Sequence, residues 1–243
     1  MRDYQKEFEN RVAWIRNLVA QSHVSGIVYG NSGGKDCTLV GILCKAACDN
    51  TVGILMPCAS KQNFGTDLAD GKAAAEQYGI ETRLVDLTPV REAELSALEG
   101  VTEMTSAAIA NIAPRLRMTT LYSIAGAEGR LVAGTGNRSE AYMGYFTKWG
   151  DGAYDFNPIA DLTVTEVYEF LAWLDAPESI RTKAPSAGLF EGQTDEQEMG
   201  ITYAAIDEYL MNGNATDHDK AILDRFHAVS EHKRRPMAAY PGS

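Results

Sequence analysis

The chain has 243 residues, 45% of them hydrophobic, enough to bury a full core. One domain over residues 1–243 is expected, with no room for a second catalytic domain of ordinary size. A formal net charge of -11 argues against a nonspecific nucleic-acid surface, although His232 to Arg235 form a local basic run. No apolar stretch approaches the roughly 18 residues of a membrane span, and the charged start MRDYQKEFENR is not a secretory signal, so a cytoplasmic protein with no membrane partner is expected. Four cysteines, Cys37, Cys44, Cys48 and Cys58, have neither CxxC spacing nor a histidine among them and are read as reduced, mostly buried thiols.

Phe8, Val12, Ile15 and Val19 recur at helical spacing, which predicts an amphipathic helix over residues 3–22. Apolar β-type runs follow at 24–29, 51–56, 81–85 and 130–133, and helical patterns at 38–48, 66–78 and 105–127 separate them. Short apolar strands alternating with helices predict an α/β fold, a parallel sheet with helices on both faces. Ligands of such sheets bind beyond the carboxyl ends of the strands.

The stretch GNSGGKDC, from Gly30 to Cys37, lies at such an end. Gly30, Gly33 and Gly34 allow a tight turn and close approach to an anion, and the following helix start supplies N–H groups and a positive dipole end. It is not a Walker loop, because Asp36 stands after Lys35 where Ser or Thr is needed. A carboxylate beside a phosphate cradle repels its ligand unless a divalent cation intervenes, so Asp36 predicts magnesium. A plain strand-to-helix turn is the alternative. A second flexible corner, Gly134-Thr135-Gly136, ends the 130–133 run. Glu140 could reach back as a second metal carboxylate, or serve as an ordinary first-turn helix acid. Lys148, Asp151 and Asp155 flank Gly150 and Gly152 in a polar loop suited to ligand contact or to a solvated turn, and Asn157-Pro158 marks a turn before a helix beginning near Thr163.

The loop SGGKDC, GTGNRSE, GYFTKWGDG with Asn157-Pro158, KAPSAGL with Gln193-Thr194-Asp195, and EHKRRP occur in the order found in ammonia-dependent NAD synthetases. The chain resembles that family over nearly its whole length; the glycine loop alone points only to the wider N-type ATP pyrophosphatase superfamily. The resemblance implies a Rossmann-like, adenine nucleotide alpha hydrolase-like sheet and a ligase that forms a C–N bond. ATP would adenylate the nicotinate carboxylate of deamido-NAD, releasing pyrophosphate, and ammonia would displace AMP to give NAD. Positioning and electrostatics would carry such chemistry without a side-chain nucleophile.

Carried over by that resemblance, Gly30, Asn31, Ser32, Gly33, Gly34, Lys35, Asp36, Cys37, Thr135, Val164 and Ser186 are the ATP-binding positions. Asp36 and Glu140 are the magnesium ligands, and Arg115, Lys148, Asp155, His232 and Lys233 bind deamido-NAD. Three positions depart from the pattern: Cys37 replaces Ser or Thr, Ser186 replaces Thr, and Val164 replaces an ATP-contacting Lys, a charge for which Lys35 or Lys183 could compensate. Residues 183–189 and 192–200 resemble a lid that excludes water from the acyl-adenylate. With the phosphate loop beginning by residue 30, no glutaminase domain is expected, and free ammonia or a separate donor is the implied source. A homodimer with deamido-NAD near the subunit boundary is also implied. Two rivals remain: an ATP pyrophosphatase that adenylates another acceptor, such as a purine or tRNA base, and a noncatalytic nucleotide binder.

Overall fold

A computed structural model of the chain describes residues 2–60, 63–183 and 194–240. Helix α1 (Tyr4–Ser22) starts where the Asp3 side chain accepts from Lys6 N and ends at His23 in a left-handed conformation. Then come β1 (Gly26–Gly30), α2 (Lys35–Ala47) and β2 (Thr51–Leu55). A kinked π-type turn, Asn63–Asp67, leads into α3 (Leu68–Gln77), followed by β3 (Glu81–Leu84) and α4 (Thr88–Leu98). The single helix expected over 105–127 is two, α5 (Ser106–Ala110) and α6 (Ile112–Glu128), divided at Asn111. Pro114 lacks an N–H and is tolerated only in a first turn, so the second helix has to start just before it.

Strand β4 (Arg130–Ala133) completes a four-stranded, all-parallel sheet of order β3-β2-β1-β4. Val28 pairs with Val52 on one side and Val132 on the other, so β1 is central. Alternation along β1 divides the core. Ile27 and Tyr29 face a cluster that includes Ile15, Leu39, Leu43, Phe170 and Leu171, whereas Val28 joins Ile54, Leu121, Ala125 and Val132 on the opposite face. Both faces are covered, as short continuous apolar strands require.

After β4 the chain forms α7 (Arg138–Met143), α8 (Val164–Trp173), α9 (Glu178–Thr182), α10 (Asp195–Met199), α11 (Tyr203–Asn212), α12 (Asp217–Val229) and α13 (Glu231–Arg234). A third apolar cluster, with Met143, Val164, Met199, Tyr203, Ile206 and Leu223, holds these helices beside the carboxyl edge of the sheet. Cys37, Cys44 and Cys58 are buried, Cys48 is partly so, and all four are free. Among the described residues no helix is long and apolar enough to cross a membrane.

Candidate active site

Beyond the carboxyl ends of β1, β2 and β4 opens a cleft of about 770 Å³ lined by Gly30, Asn31, Ser32, Gly34, Lys35 and Thr135 among others. The glycine loop is built to a tight specification. Gly33 has φ +70°, and a Cβ there would lie 2.1 Å from Asp67 O, so α3 sits directly against the turn. Gly34 caps α2 with no side-chain bond, so no side chain competes with an anion for the first N–H groups of the helix. Asn31 is buried: its Nδ2 donates to Gly71 O (2.9 Å) and its Oδ1 accepts from Gly33 N (3.1 Å). Expected as an ATP contact, Asn31 has its amide turned to bracing the loop against α3.

Next to the loop, Lys35 Nζ donates to Asp36 Oδ2 (2.7 Å), and Asp36 Oδ1 accepts from Asn137 Nδ2 (3.0 Å). Asn137 also caps α7 in a reciprocal box, with Glu140 N on Asn137 Oδ1 and Asn137 N on Glu140 Oε2, both at 3.0 Å. Glu140 is thus a helix-capping acid and a neighbour of Asp36 at once. Burial, and then the Asp36 carboxylate, push the Glu140 carboxyl up to about 8. Burial works against the charge of Lys35, but Asp36 and Glu140 more than offset it and raise its pKa. Asp36, with Lys35 seated on it, and the neighbouring Glu140 carboxyl form an oxygen donor set that fits a divalent cation, which would favour the ionised form of Glu140. No group of three or more His, Cys, Asp or Glu with metal-holding geometry occurs among the described residues, so further ligands there would be water and phosphate oxygens.

The remaining expected positions divide. Val164 does not face the cleft; it is 4% exposed, inside the third apolar cluster, and its N–H donates to Ser139 Oγ (3.2 Å). Carried over as an ATP-binding position, Val164 is the first residue of α8 and packs in one cluster with Met143, Tyr203 and their neighbours. Cys37 is likewise a core residue, its thiol donating to Gly34 O (3.1 Å) beneath the turn. Ser186, with residues 184–189, 192 and 193 of the expected lid, lies outside the described residues. Lys35 and Lys183, the expected compensators, both line the cleft, but Lys183 is held by Asp67 and Asp70 at 2.8 and 2.9 Å.

Of the positions expected to bind deamido-NAD, Lys233 lines the cleft, donating to Gly144 O and Phe146 O at 2.7 Å each; burial lowers its pKa. Lys148 and His232 line a second, smaller hollow, where Lys148 Nζ donates to His232 O (2.7 Å). Arg115 is exposed beside them, its Nη2 on Lys148 O (3.4 Å). Asp155 accepts from Val132 N (2.7 Å) and Tyr122 Oη (3.2 Å), which ties the segment after Gly152 to β4. The basic run is only partly solvated: His232 and Arg235 are exposed, whereas Arg234 donates to carbonyls of Ala141 and Tyr142 and docks α13 on α7.

The sequence reading passed over Asn137 and Arg117. Asn137 was visible as the first residue of an Asn-x-x-Glu capping box, and Arg117 as part of the helical face Pro114, Arg117, Met118, Leu121, all four of which line the cleft.

A family model described as NAD synthase matches residues 7–237. The chain is 45% identical over 236 residues to the NH(3)-dependent NAD(+) synthetase of Carboxydothermus hydrogenoformans, covering 96% of each. Its fold is similar to the NMN synthetase of Francisella tularensis, with TM-score 0.94, 33% identity and 100% of both chains covered. It is also similar to the NH3-dependent NAD synthetase of Campylobacter jejuni, with TM-score 0.80, 28% identity and coverage of 99% and 100%. The glycine loop at the sheet edge, its neighbouring carboxylates and these matches along nearly the whole sequence agree, and the chain belongs to the NAD synthase family.

Proposed function

We propose that the chain amidates deamido-NAD with ammonia, converting ATP to AMP and pyrophosphate and yielding NAD. The observation that carries this reading is the glycine loop opening into a cleft beside Asp36 and Glu140, in a chain of this family. A carboxylate oxygen of deamido-NAD attacks the α-phosphorus of ATP, the bond to the bridging oxygen breaks, and pyrophosphate leaves. Ammonia then adds to the acyl carbon, AMP departs with the oxygen that joined it, and a proton is lost to solvent. The loop N–H groups hold the departing phosphates. Asn31 keeps the loop in its binding shape, and Asn137 orients Asp36 and Glu140. A magnesium ion held by Asp36 and Glu140 would neutralise charge on the phosphate oxygens.

The same reading includes free ammonia or a separate donor protein as nitrogen source, a cytoplasmic location and a homodimer. Lys148, His232 and Arg115, gathered outside the main cleft, fit a substrate end that reaches a subunit boundary. Incubation with ATP, magnesium, deamido-NAD and ammonium, omitting each in turn, tests the reading: NAD, AMP and pyrophosphate should form in equal amounts and only with all four.

One observation favours a second substrate. The fold is similar over its full length to a protein described as an NMN synthetase. Nicotinate mononucleotide presents the same carboxylate to the same chemistry, without the adenylate half. Replacing deamido-NAD with the mononucleotide in the assay separates the two, since the larger kcat/KM identifies the acceptor.

A further inference from the structure

Four cationic side chains among the described residues line the cleft, and two of them are paired with carboxylates. Lys35 sits on Asp36, Lys183 on Asp67 and Asp70, and Lys233 between two carbonyls. Arg117 differs. Its Nε donates to Met56 O (3.1 Å) and its Nη2 to Asn63 Oδ1 (3.1 Å), both neutral acceptors. No ion pair links its guanidinium to a carboxylate among the described residues. Even a partly buried guanidinium without a counter-ion is costly. Burial accordingly lowers the pKa of Arg117, opposed only by the Cys58 thiol and the nearby charges of Asp151 and Asp67.

The two bonds fix the plane of the group along its Nε–Nη2 edge and leave Nη1 for a ligand in the cleft. They also place it with respect to the glycine loop. Asn63 Nδ2 donates to Asp67 Oδ2 (3.0 Å), and Asp67 O lies against Gly33. The chain of contacts Arg117, Asn63, Asp67, Gly33 therefore runs along one wall, from β2 to the turn at the end of β1. The loop offers N–H groups to an anion, and Arg117 offers the fixed positive charge that Lys35 and Lys183, each seated on carboxylates, do not.

We propose that Arg117 is a phosphate ligand, binding an oxygen of the ATP phosphate chain together with the Gly30–Gly34 loop. The inference rests on the reading that the cleft takes ATP. A charge-assisted contact of this kind contributes on the order of 10- to 100-fold in affinity.

Calorimetric binding of α,β-methylene-ATP with magnesium to the full chain tests it, with thermal unfolding in the absence of nucleotide as the control for folding. Arg117→Met should weaken binding about 10- to 100-fold, whereas Asn63→Ala, which loosens the guanidinium but keeps its charge, should cost less than about threefold. Arg117→Gln removes the charge but keeps a donor for Met56 O, and serves if the Met variant does not fold; a similar loss is expected. Binding of either Arg117 variant within twofold of wild type overturns the proposal. Equal losses for Asn63→Ala and Arg117→Met also overturn it, because they reveal a brace and not a phosphate ligand. If the wild-type chain binds no nucleotide, the ATP reading itself fails; if it binds and the Arg117 variants bind equally, only this inference fails.

Discussion

Glu140 performs two jobs that pull its protonation in opposite directions. As the third residue of α7 it accepts the N–H of its own cap, and as a neighbour of Asp36 it faces a like charge. The folded chain holds the Glu140 proton up to about 8, whereas an ordinary glutamate releases it near 4.5. Across that window the folded state binds more protons than the unfolded state, so stability without ligand should fall as pH rises from about 4.5 to about 8. Glu140→Gln keeps the cap acceptor and removes the ionisation. It should flatten this part of the profile of Tm against pH, raise Tm by a few degrees near pH 8, and lower turnover at least about 100-fold. Equal pH slopes for wild type and variant would show that Glu140 does not carry the effect. Asn31 acts at the same scale: with both ends of its amide on Gly33 and Gly71, Asn31→Ala should raise the ATP KM about tenfold and leave the KM of deamido-NAD within about twofold. Steady-state kinetics with each substrate varied separately reads that difference.

At the scale of elements, β1 and α2 are matched by one side chain. Tyr29 is 1% exposed, and its ring lies so close to α2 and β2 that a Cβ on Gly41 would meet Tyr29 Oη at 2.4 Å and one on Gly53 at 2.9 Å. Gly41→Ala should therefore lower stability by about 1–3 kcal/mol in a denaturant titration, although alanine is the better helix former. A stabilised variant would mean that Tyr29 can move aside freely. The four strands were legible in the sequence, because short apolar runs between helical patterns have few alternative readings. The start of α2 at Lys35 and not Thr38 was not, since its first turn is the polar part of the loop and carries no apolar period. The division at Asn111 was hidden because apolar spacing continues through it, while the side chain that ends α5 bonds to Thr147, 36 residues away. The short helices α9, α10 and α13 hold too few turns for a period to register.

For the whole molecule, the place of the site was legible and its wiring was not. A glycine loop after the first strand put the cleft at the carboxyl edge of the sheet, and Asp36 with Glu140 came together there as the spacing suggested. The packing of Val164 and Cys37 into apolar clusters was not legible, because position in a motif does not reveal which face of a helix start a neighbouring cluster covers. The cation pairing was equally out of reach: Lys183 meets Asp67 and Asp70 across more than 100 residues, so no local pattern encodes it. The proposed reaction requires the cleft to bring a carboxylate and the α-phosphate of ATP together. The most direct test starts from deamido-NAD with both carboxylate oxygens labelled with oxygen-18 and follows the label by mass spectrometry after complete turnover with ATP and ammonium. Adenylation predicts one labelled oxygen in AMP, one in the carboxamide of NAD and none in pyrophosphate. Unlabelled AMP, with the label in inorganic phosphate or pyrophosphate, would contradict activation at the α-phosphorus.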